Sequence, residues 1–361
     1  MTSLPEIWVL GATGRSGSDI ASILVKNKDV TTVIVGRNQE RLDTLATTLP
    51  GSRAEVAAGP DAIIQLIKDK KPAVVVNMLG DYANAGVAIA RAAVSSGTHY
   101  TDLAADLASV PLLLGLHDEA IAGGATVVPG SGYGVVGTQG AVARLCEGSS
   151  RKARHIHVDG LPAMATKAEG TVGDALAHSI IDGMAGGGKQ VIDGKLVSAP
   201  MGTYVELTTP DGDKVTCGAV PAGDLIAAQR CSGVPDVSVT ANSSYGPAGL
   251  IARLAIPVVS TIMLLGPVKR YAQRYLASVQ APAAPMPRKH TWGHAVVTFD
   301  DGTEQEAWLQ AGDASDFTSA VCSEVALRLA RGTKARPGAY TPCEIFGSEI
   351  AEAAGAKIIL V

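Results

Sequence analysis

The stretch EIWVLGATGRSGSDIASIL, residues 6–24, restricts the fold more than any other part of the chain. An apolar, β-branched run leads into Gly11, Gly14 and Gly17, and the pattern after these glycines is helical. A strand, a glycine turn and a helix in this order open a βαβ unit. The stretch therefore predicts the first strand and the first helix of a parallel α/β sheet.

The same alternation continues to about residue 150. Short apolar runs that are typical of strands are EIWVLGA, TTVIVGR, AVVVNML, HYTDLA and ATVVPGS, and helical patterns separate them. Continuous apolar strands indicate a sheet that helices cover on both faces. We therefore predict an α/β protein in which residues 1–150 form a Rossmann-type, doubly wound parallel sheet.

The pattern changes after residue 150. TYVELTTPDGDKVTCGAV and GHAVVTFDDGTEQEAWLQAG are typical of β-hairpins, each with Asp-Gly at or near its turn. They predict a second, α+β domain over residues 151–314, built on a mixed or antiparallel sheet. An amphipathic helix follows in SDFTSAVCSEVALRLARG, and we expect residues 315–361 to complete the first domain.

Composition excludes several classes of protein. Of the 361 residues, 47% are apolar and 18% are charged, which is typical of a globular chain. The net charge is −4 and no basic block occurs, so the electrostatic signature of nucleic-acid binding is missing. The five cysteines are widely spaced without C-x-x-C, which predicts free thiols and a cytoplasmic location. His155 and His157 alternate as metal ligands can, but no third ligand is in sequence reach, and we expect no metal site.

One apolar segment, residues 249–268, approaches the length of a membrane-spanning helix. Arg253 and Pro257 interrupt it and Gly266-Pro267 ends it, so a buried or lid-like pair of helices is the preferred interpretation. No integral membrane span is predicted. Peripheral contact with lipid stays open, and so does a homodimer formed through exposed apolar helices.

The glycine loop, residues 11–17, has the chemistry of a phosphate site. Gly11 permits a tight turn, Gly14 the close approach of a pyrophosphate, and Gly17 close packing of helix against strand. Backbone N–H groups at the start of the helix then face the anion, aided by the helix dipole. We expect a dinucleotide here, with a purely structural turn as the alternative. The predicted contacts are Gly11, Thr13, Gly14, Arg15, Ser16 and Gly17.

The end of the second strand predicts which dinucleotide binds. NAD sites usually carry Asp or Glu there, to hold the ribose hydroxyls. This chain has Arg37 and Asn38 instead, and Arg15 lies in the glycine loop. A guanidinium pairs with a 2′-phosphate and stacks on adenine. We therefore expect NADP(H) rather than NAD(H), with Arg37 and Asn38 in contact with it; the alternative makes Arg37 a solvated charge.

Residues after the later strands complete the candidate site. Asn77, Leu79 and Gly80 follow the fourth strand, where a doubly wound sheet opens its ligand crevice, and we expect them near the nicotinamide ribose. Asp102 follows the fifth strand, and Tyr133 lies in the glycine-rich loop after the sixth. These two are the candidate catalytic residues. A capping carboxylate for Asp102 and simple packing for Tyr133 are the alternatives.

Four of these segments together resemble the saccharopine dehydrogenase-like oxidoreductases, including the trans-acting enoyl reductases of lipid assembly. They are GATGRSG, GRNQERL, VVVNMLGDYANAGVAIARAAVSSGTHYTDLAAD and VVPGSGYGVVG, and the resemblance is strongest over residues 5–140. It implies an NADP-binding domain, a mixed α/β second domain and a cleft between them. Two positions depart from the family: Asp81 stands where relatives often have proline, and Gln139 where they often have aspartate.

Other enzyme classes lack their motifs. The short-chain dehydrogenases share GATGRSG but use Tyr-x-x-x-Lys, and none of the eight tyrosines has a lysine four residues on. G-x-S-x-G, H-E-x-x-H and the P-loop are missing as well. The sequence thus predicts an NADPH-dependent reductase of a C=N or conjugated C=C bond in a small, apolar substrate. The alternative is a non-catalytic NADP-binding protein that has a regulatory role or associates with a membrane or a partner.

Overall fold

The structure is a computed structural model of the chain. It describes residues 4–149, 151–166, 169–173, 177, 181, 187–200, 204–242, 262, 263 and 265–361. Most of the apolar segment 249–268 therefore lies outside the described residues, and the buried helix pair expected there stays a prediction. Within the described part, no helix is long and apolar enough to cross a membrane.

The described strands are numbered in chain order. They are β1 Glu6–Leu10, β2 Thr31–Gly36, β3 Arg53–Val56, β4 Val74–Asn77, β5 His99–Asp102, β6 Thr126–Val128, β7 Ala153–Leu161, β8 Gly170–Thr171, β9 Lys189–Ile192, β10 Lys195–Ser198, β11 Tyr204–Thr208, β12 Lys214–Ala219, β13 Asp236–Asn242, β14 Gln280–Ala281, β15 Thr291–Phe299, β16 Glu304–Ala311, β17 Gly338–Ala339 and β18 Lys357–Leu360.

The described helices are numbered in the same way. They are α1 Arg15–Leu24, α2 Gln39–Thr48, α3 Pro60–Lys70, α4 Val87–Ser95, α5 Val110–Leu114, α6 His117–Ala122, α7 Tyr133–Cys146, α8 Asp224–Ser232, α9 Gly266–Ser278, α10 Ala314–Ala330, α11 Pro342–Phe346 and α12 Glu349–Ala353. A π-helical turn, Tyr82–Gly86, runs directly into α4.

The first of two compact units holds residues 1–104, 108–132 and 315–346. Its sheet has the order β17-β6-β5-β4-β1-β2-β3, with every neighbouring pair parallel. Residues 7–10 of the inner strand β1 are completely buried, as a strand covered on both faces requires. The predicted doubly wound parallel sheet is confirmed.

Two edge strands of this sheet were not predicted from the sequence. Strand β3, with the sequence RAEV, is half-buried or exposed along its length and carries charged side chains, so it lacks the apolar run. Strand β17 is only Gly338 and Ala339, paired with β6. Neither strand has a local pattern that separates it from a loop.

The second unit holds residues 105–107, 133–314 and 347–361. Its main sheet has the order β10-β9-β13-β7-β15-β16-β18, and β12 pairs with both β11 and β13. Strands β7 and β13 run parallel, whereas the other pairs are antiparallel, so the sheet is mixed as predicted. Both predicted hairpins form, as β11–β12 and as β15–β16.

Helix α7 belongs to the second unit, although the sequence-based boundary near residue 150 assigned it to the first. It packs against β7, β15, β16 and α8. A Cβ atom at Gly293 of β15 would lie 1.7 Å from the carbonyl oxygen of Gly137, so the helix and strand backbones touch where both residues are glycine. Contacts of this kind between residues distant in sequence leave no local sign of a boundary.

Candidate dinucleotide site

The glycine loop connects β1 to α1. Gly11 has a φ angle of +71°, in the left-handed region that favours glycine, and its N–H donates to the carbonyl of Val35 at 2.9 Å. Gly14 is the N-cap residue of α1 and offers no side-chain cap. The N–H groups of the first helical turn therefore lack the side-chain acceptor that a Ser or Asp cap supplies, and they remain suited to an anionic ligand.

Two positions of the loop lie so close to neighbouring atoms that they favour glycine over any residue with a side chain. A Cβ atom at Gly17 would lie 2.4 Å from the carbonyl oxygen of Gly11 and 2.9 Å from Cα of Ala12, both backbone atoms. A Cβ atom at Gly11 would lie 3.2 Å from the carbonyl oxygen of Met78 and 3.1 Å from the side chain of Leu79. The loop thus packs against the segment after β4 with no room for side chains at its turn.

The outer side of the loop faces solvent. Gly14 and Arg15 are exposed, and Thr13 and Ser16 are half-buried. Their accessibility suits contact with a phosphate chain. The predicted cofactor contacts within the loop stay predictions.

The carboxyl end of β2 carries no carboxylate. Gly36, the last residue of β2, is followed by Arg37 and Asn38, both exposed. The amide oxygen of Asn38 accepts the N–H of Arg41 at 2.9 Å and so caps helix α2. Asn38 therefore has a structural role that its sequence position did not predict, while Arg37 follows the strand end where a ribose is held in Rossmann sheets.

A chain of buried hydrogen bonds joins the carboxyl ends of β4 and β5. The Leu79 N–H donates to the side-chain oxygen of Asn77 at 3.1 Å, and the Asn77 amide donates to the Tyr100 hydroxyl at 3.0 Å. The Tyr100 hydroxyl in turn donates to Asp102 at 2.8 Å. Asn77, Tyr100 and Asp102 are all completely buried. We call these three side chains the edge relay; Tyr100 was not singled out from the sequence.

The carboxylate of Asp102 accepts hydrogen bonds from side-chain and backbone donors. Besides the Tyr100 hydroxyl, its carboxylate accepts the backbone N–H groups of Ala104 at 2.9 Å and Gly130 at 3.1 Å. Donors of this kind stabilise the charged form. Burial and the negative charge of Asp102 raise the pKa of Tyr100 well above its ordinary value, so the phenol keeps its proton and remains the donor. The carboxylate thereby ties β5 to the loop after β6.

The edge relay ends beside the glycine loop. Leu79 is 43% exposed, and the chain then turns through Gly80 and Asp81, which have φ angles of +75° and +44°. The structure thus brings Met78 and Leu79 next to Gly11, with Asn77 opposite Leu10, at the point between β1 and β4 where the strand order of the sheet reverses; Gly80 follows directly in the chain. Ligands of doubly wound sheets bind at this point.

Tyr133, the other candidate catalytic residue, lies at the start of α7 in the second unit. It is 9% exposed, and its hydroxyl donates to the carbonyl of Trp292 at 2.7 Å. Burial and the nearby charge of Asp224 raise its pKa well above the ordinary value for tyrosine. The phenol therefore anchors α7 to β15, and its catalytic role stays a prediction.

Asp224, the first residue of α8, was not predicted from the sequence as a functional residue. The Thr138 hydroxyl of α7 donates to its carboxyl group, and the neighbouring Gln139 amide donates to the carbonyl of Ala227 at 3.0 Å. Burial raises the pKa of Asp224 to about 7. A carboxyl group thus stands beside the position where Gln139 replaces the carboxylate of relatives, but it comes from a helix more than 80 residues away. No local pattern connects the two.

The alternating histidines of β7 take part in a polar network of the second unit. Ser238 Oγ lies 3.1 Å from His155 and 2.8 Å from His157. Asp159 lies 3.1 Å from His157 and 2.7 Å from His294. Although burial alone would raise the pKa of Asp159, these histidine contacts lower it. Among the residues that the structure describes, no group of three His, Cys, Asp or Glu side chains has the arrangement of a metal site.

The fold and the glycine loop are those of the doubly wound α/β class, whose members bind dinucleotides at this edge of the sheet. Residues 7–128 match the family model of the saccharopine dehydrogenase NADP binding domain. The resemblance predicted from the sequence is confirmed for this part of the chain.

Solved structures extend the likeness of fold to the whole chain. Saccharopine dehydrogenase (L-Glu forming) from Saccharomyces cerevisiae superposes with a TM-score of 0.61 at 14% identity, over 99% of this chain and 100% of that one. Homospermidine synthase from Legionella pneumophila, solved in complex with NAD, gives 0.61 at 12% identity, over 100% of this chain and 91% of that one. At these identities the likeness concerns the fold. No curated protein matches the chain in sequence.

Proposed function

We propose that the protein is an NADP(H)-dependent oxidoreductase that reduces a C=N or conjugated C=C bond of a small, apolar substrate. The observation that carries the proposal is the glycine loop, which excludes side chains at Gly11 and Gly17 and is followed at the end of β2 by Arg37 instead of a carboxylate. The family matched by residues 7–128 is an NADP-binding one, whereas the homospermidine synthase was solved with NAD. The test below therefore compares the two cofactors.

Each part of the first unit has a task in this proposal. The first turn of α1 binds the pyrophosphate through its N–H groups. Arg15 and Arg37 pair with the 2′-phosphate. The edge relay holds Leu79 and Gly80, which line the nicotinamide ribose. When bound, the cofactor supplies the hydride for reduction.

Proton delivery is assigned to Asp102 and Tyr133. Reduction of a double bond adds a hydride to carbon and a proton to the partner atom, so a donor must face the second atom. Asp102 accepts several hydrogen bonds and would act through a bound water, whereas Tyr133 would act directly after release from the Trp292 carbonyl. An apolar substrate is favoured by the low charged fraction of 18% and by the apolar segment 249–268.

Removal of the Arg37 guanidinium tests the cofactor assignment. We expect Arg37→Ala to raise the Kd for NADPH about 10- to 100-fold, the worth of one charge-assisted pair. The Kd for NADH stays unchanged because NADH has no 2′-phosphate. Fluorescence titration or calorimetry on the purified protein measures both values.

The matched control is Arg91→Ala, which removes an exposed arginine of α4 that pairs with Glu119. It carries the same change of net charge and leaves both affinities unchanged. Equal weakening of NADPH and NADH by Arg37→Ala, or no weakening of either, would rule out the NADP(H) assignment.

A non-catalytic NADP-binding protein is the second candidate. It is favoured by the Tyr133 hydroxyl, which already donates to the Trp292 carbonyl, and by Gln139, whose amide joins α7 to α8. Oxidation of NADPH with a panel of cyclic imines and α,β-unsaturated thioesters separates the two candidates. Turnover with any of them supports the reductase, and tight NADPH binding without turnover supports the regulatory protein.

A further inference from the structure

Helix α9 presents two aromatic rings to solvent. Tyr271 and Tyr275 are 72% and 65% exposed, and their rings stack with centroids 6.5 Å apart and planes inclined by 16°. One helical turn separates the two residues, so both lie on one face. The opposite face holds Gln273 and Ala277, which are buried. The helix is therefore anchored along one side and displays tyrosines along the other.

Arginines flank the tyrosines on the exposed face. Arg270 and Arg274 are both exposed and are also one turn apart. The sequence of the helix, GPVKRYAQRYLAS, contains no acidic residue. In a chain with a net charge of −4, this face is thus locally cationic.

Apolar side chains continue the surface before the helix begins. Leu265 is 58% exposed and Ile262 is 45% exposed. The sequence from 249 to 265 contains Arg253 as its single charged residue. Exposed apolar and aromatic residues next to a cationic face are a costly arrangement in water unless a partner covers them.

We propose that this surface, formed by Ile262, Leu265, Arg270, Tyr271, Arg274 and Tyr275, docks the protein on an anionic lipid bilayer. Tyrosine rings favour the headgroup level because they combine an apolar ring with a polar hydroxyl. Leu265 and Ile262 enter the acyl boundary beside them, and the two guanidinium groups pair with lipid phosphates. The cationic charge selects an anionic bilayer over a neutral one. This inference does not depend on the proposed reductase activity.

Cosedimentation with vesicles tests the proposal. We expect the full-length protein to bind vesicles of equal parts phosphatidylcholine and phosphatidylglycerol, and to bind vesicles of phosphatidylcholine alone at least tenfold more weakly. Tyr271→Ser/Tyr275→Ser and Arg270→Gln/Arg274→Gln each lower the bound fraction at least fivefold. Raised salt weakens binding of the unaltered protein because the charged pairs are screened.

The matched control is Arg154→Gln/Lys195→Gln, which removes two exposed cations elsewhere in the same unit. It binds vesicles as the unaltered protein does. An unchanged thermal transition shows that a variant is folded. If a double variant does not fold, the single substitutions Tyr271→Phe and Arg270→Lys are tested instead. They keep the chemistry of the surface and must retain binding.

Three results would overturn the proposal. The first is no binding to anionic vesicles, and the second is equal loss of binding in the control. The third is a dimer in sedimentation velocity that Tyr271→Ser/Tyr275→Ser dissociates, since the surface would then be covered by a second copy of the chain.

Discussion

At the scale of single residues, the glycine loop shows most directly how side-chain size determines the site. Gly17 lies so close to the Gly11 carbonyl that even a methyl group would meet backbone atoms, which have no freedom to move aside. At Gly36, by contrast, a Cβ atom would meet only the side chain of Leu42 at 3.3 Å. The two glycines differ in what an added methyl group would displace.

We expect Gly17→Ala to lower the free energy of unfolding by about 1–3 kcal/mol, the usual cost of forcing extra volume into a packed site. Because α1 must shift away from β1, dinucleotide binding weakens as well. Gly36→Ala is the control and changes both quantities little. Urea denaturation and NADPH titration measure the two effects. A Gly17→Ala protein with the stability and the NADPH affinity of the control would contradict the close packing assigned to Gly17.

At the scale of elements, the edge relay links the ends of two strands to the segment that packs against the glycine loop. Tyr100 of β5 connects Asn77 of β4 to Asp102, and Asn77 holds the Leu79 N–H. The adenosine end of a dinucleotide binds on the other side of the glycine loop, toward β2. With the cofactor bound as proposed, loss of the relay is expected to affect the nicotinamide end alone.

We expect Tyr100→Phe to weaken NADP⁺ binding about 5- to 10-fold, while the affinity for 2′,5′-ADP, which lacks the nicotinamide half, stays unchanged. The control is Thr98→Val, which removes a buried hydroxyl that donates to the Pro72 carbonyl just before the same strand. Each variant loses about 1–3 kcal/mol of stability, but Thr98→Val leaves both affinities unaltered. Parallel loss of NADP⁺ and 2′,5′-ADP in Tyr100→Phe would show a merely structural role.

Elements also differ in how far the sequence predicts them. The apolar strands β1, β2, β4, β5 and β6 and both hairpins were predictable because their patterns are local. Strand β17 was not, because two residues have no periodicity and pair only after the chain returns from the second unit. For helix α7, the sequence predicted neither the unit to which the helix belongs nor the elements against which it packs, which include β15 and α8.

At the scale of the whole molecule, buried carboxyl groups make stability depend on pH. Asp224 has its pKa raised by burial from 3.8 to about 7. A carboxyl group whose pKa is higher in the folded state contributes fully below its unfolded pKa, and this contribution is lost as pH rises through the folded value. The loss thus falls between about pH 4 and pH 7. Asp159 acts in the opposite sense, since its pKa is lowered and its contribution is lost only in strong acid.

We expect Asp224→Asn to gain up to about 4 kcal/mol of stability relative to the unaltered protein between pH 5 and pH 8. The amide stays neutral and its oxygen still accepts from Thr138. Urea denaturation at a series of pH values measures the difference. Glu206→Gln, at an exposed acid of β11, is the control and follows the unaltered protein. A difference between Asp224→Asn and the unaltered protein that does not change with pH would contradict the raised pKa.

The sequence by itself determined the parallel sheet, the glycine loop at its first turn and the absence of a carboxylate at Arg37, because each depends on neighbouring residues. Tertiary structure alone decided that Tyr100 joins Asn77 to Asp102, that the Tyr133 hydroxyl is used by the Trp292 carbonyl, and that Asp224 reaches Thr138. Hydrogen bonds and burial of this kind arise between strands and helices far apart in the chain. Their partners are chosen by packing, which no local pattern of residues records.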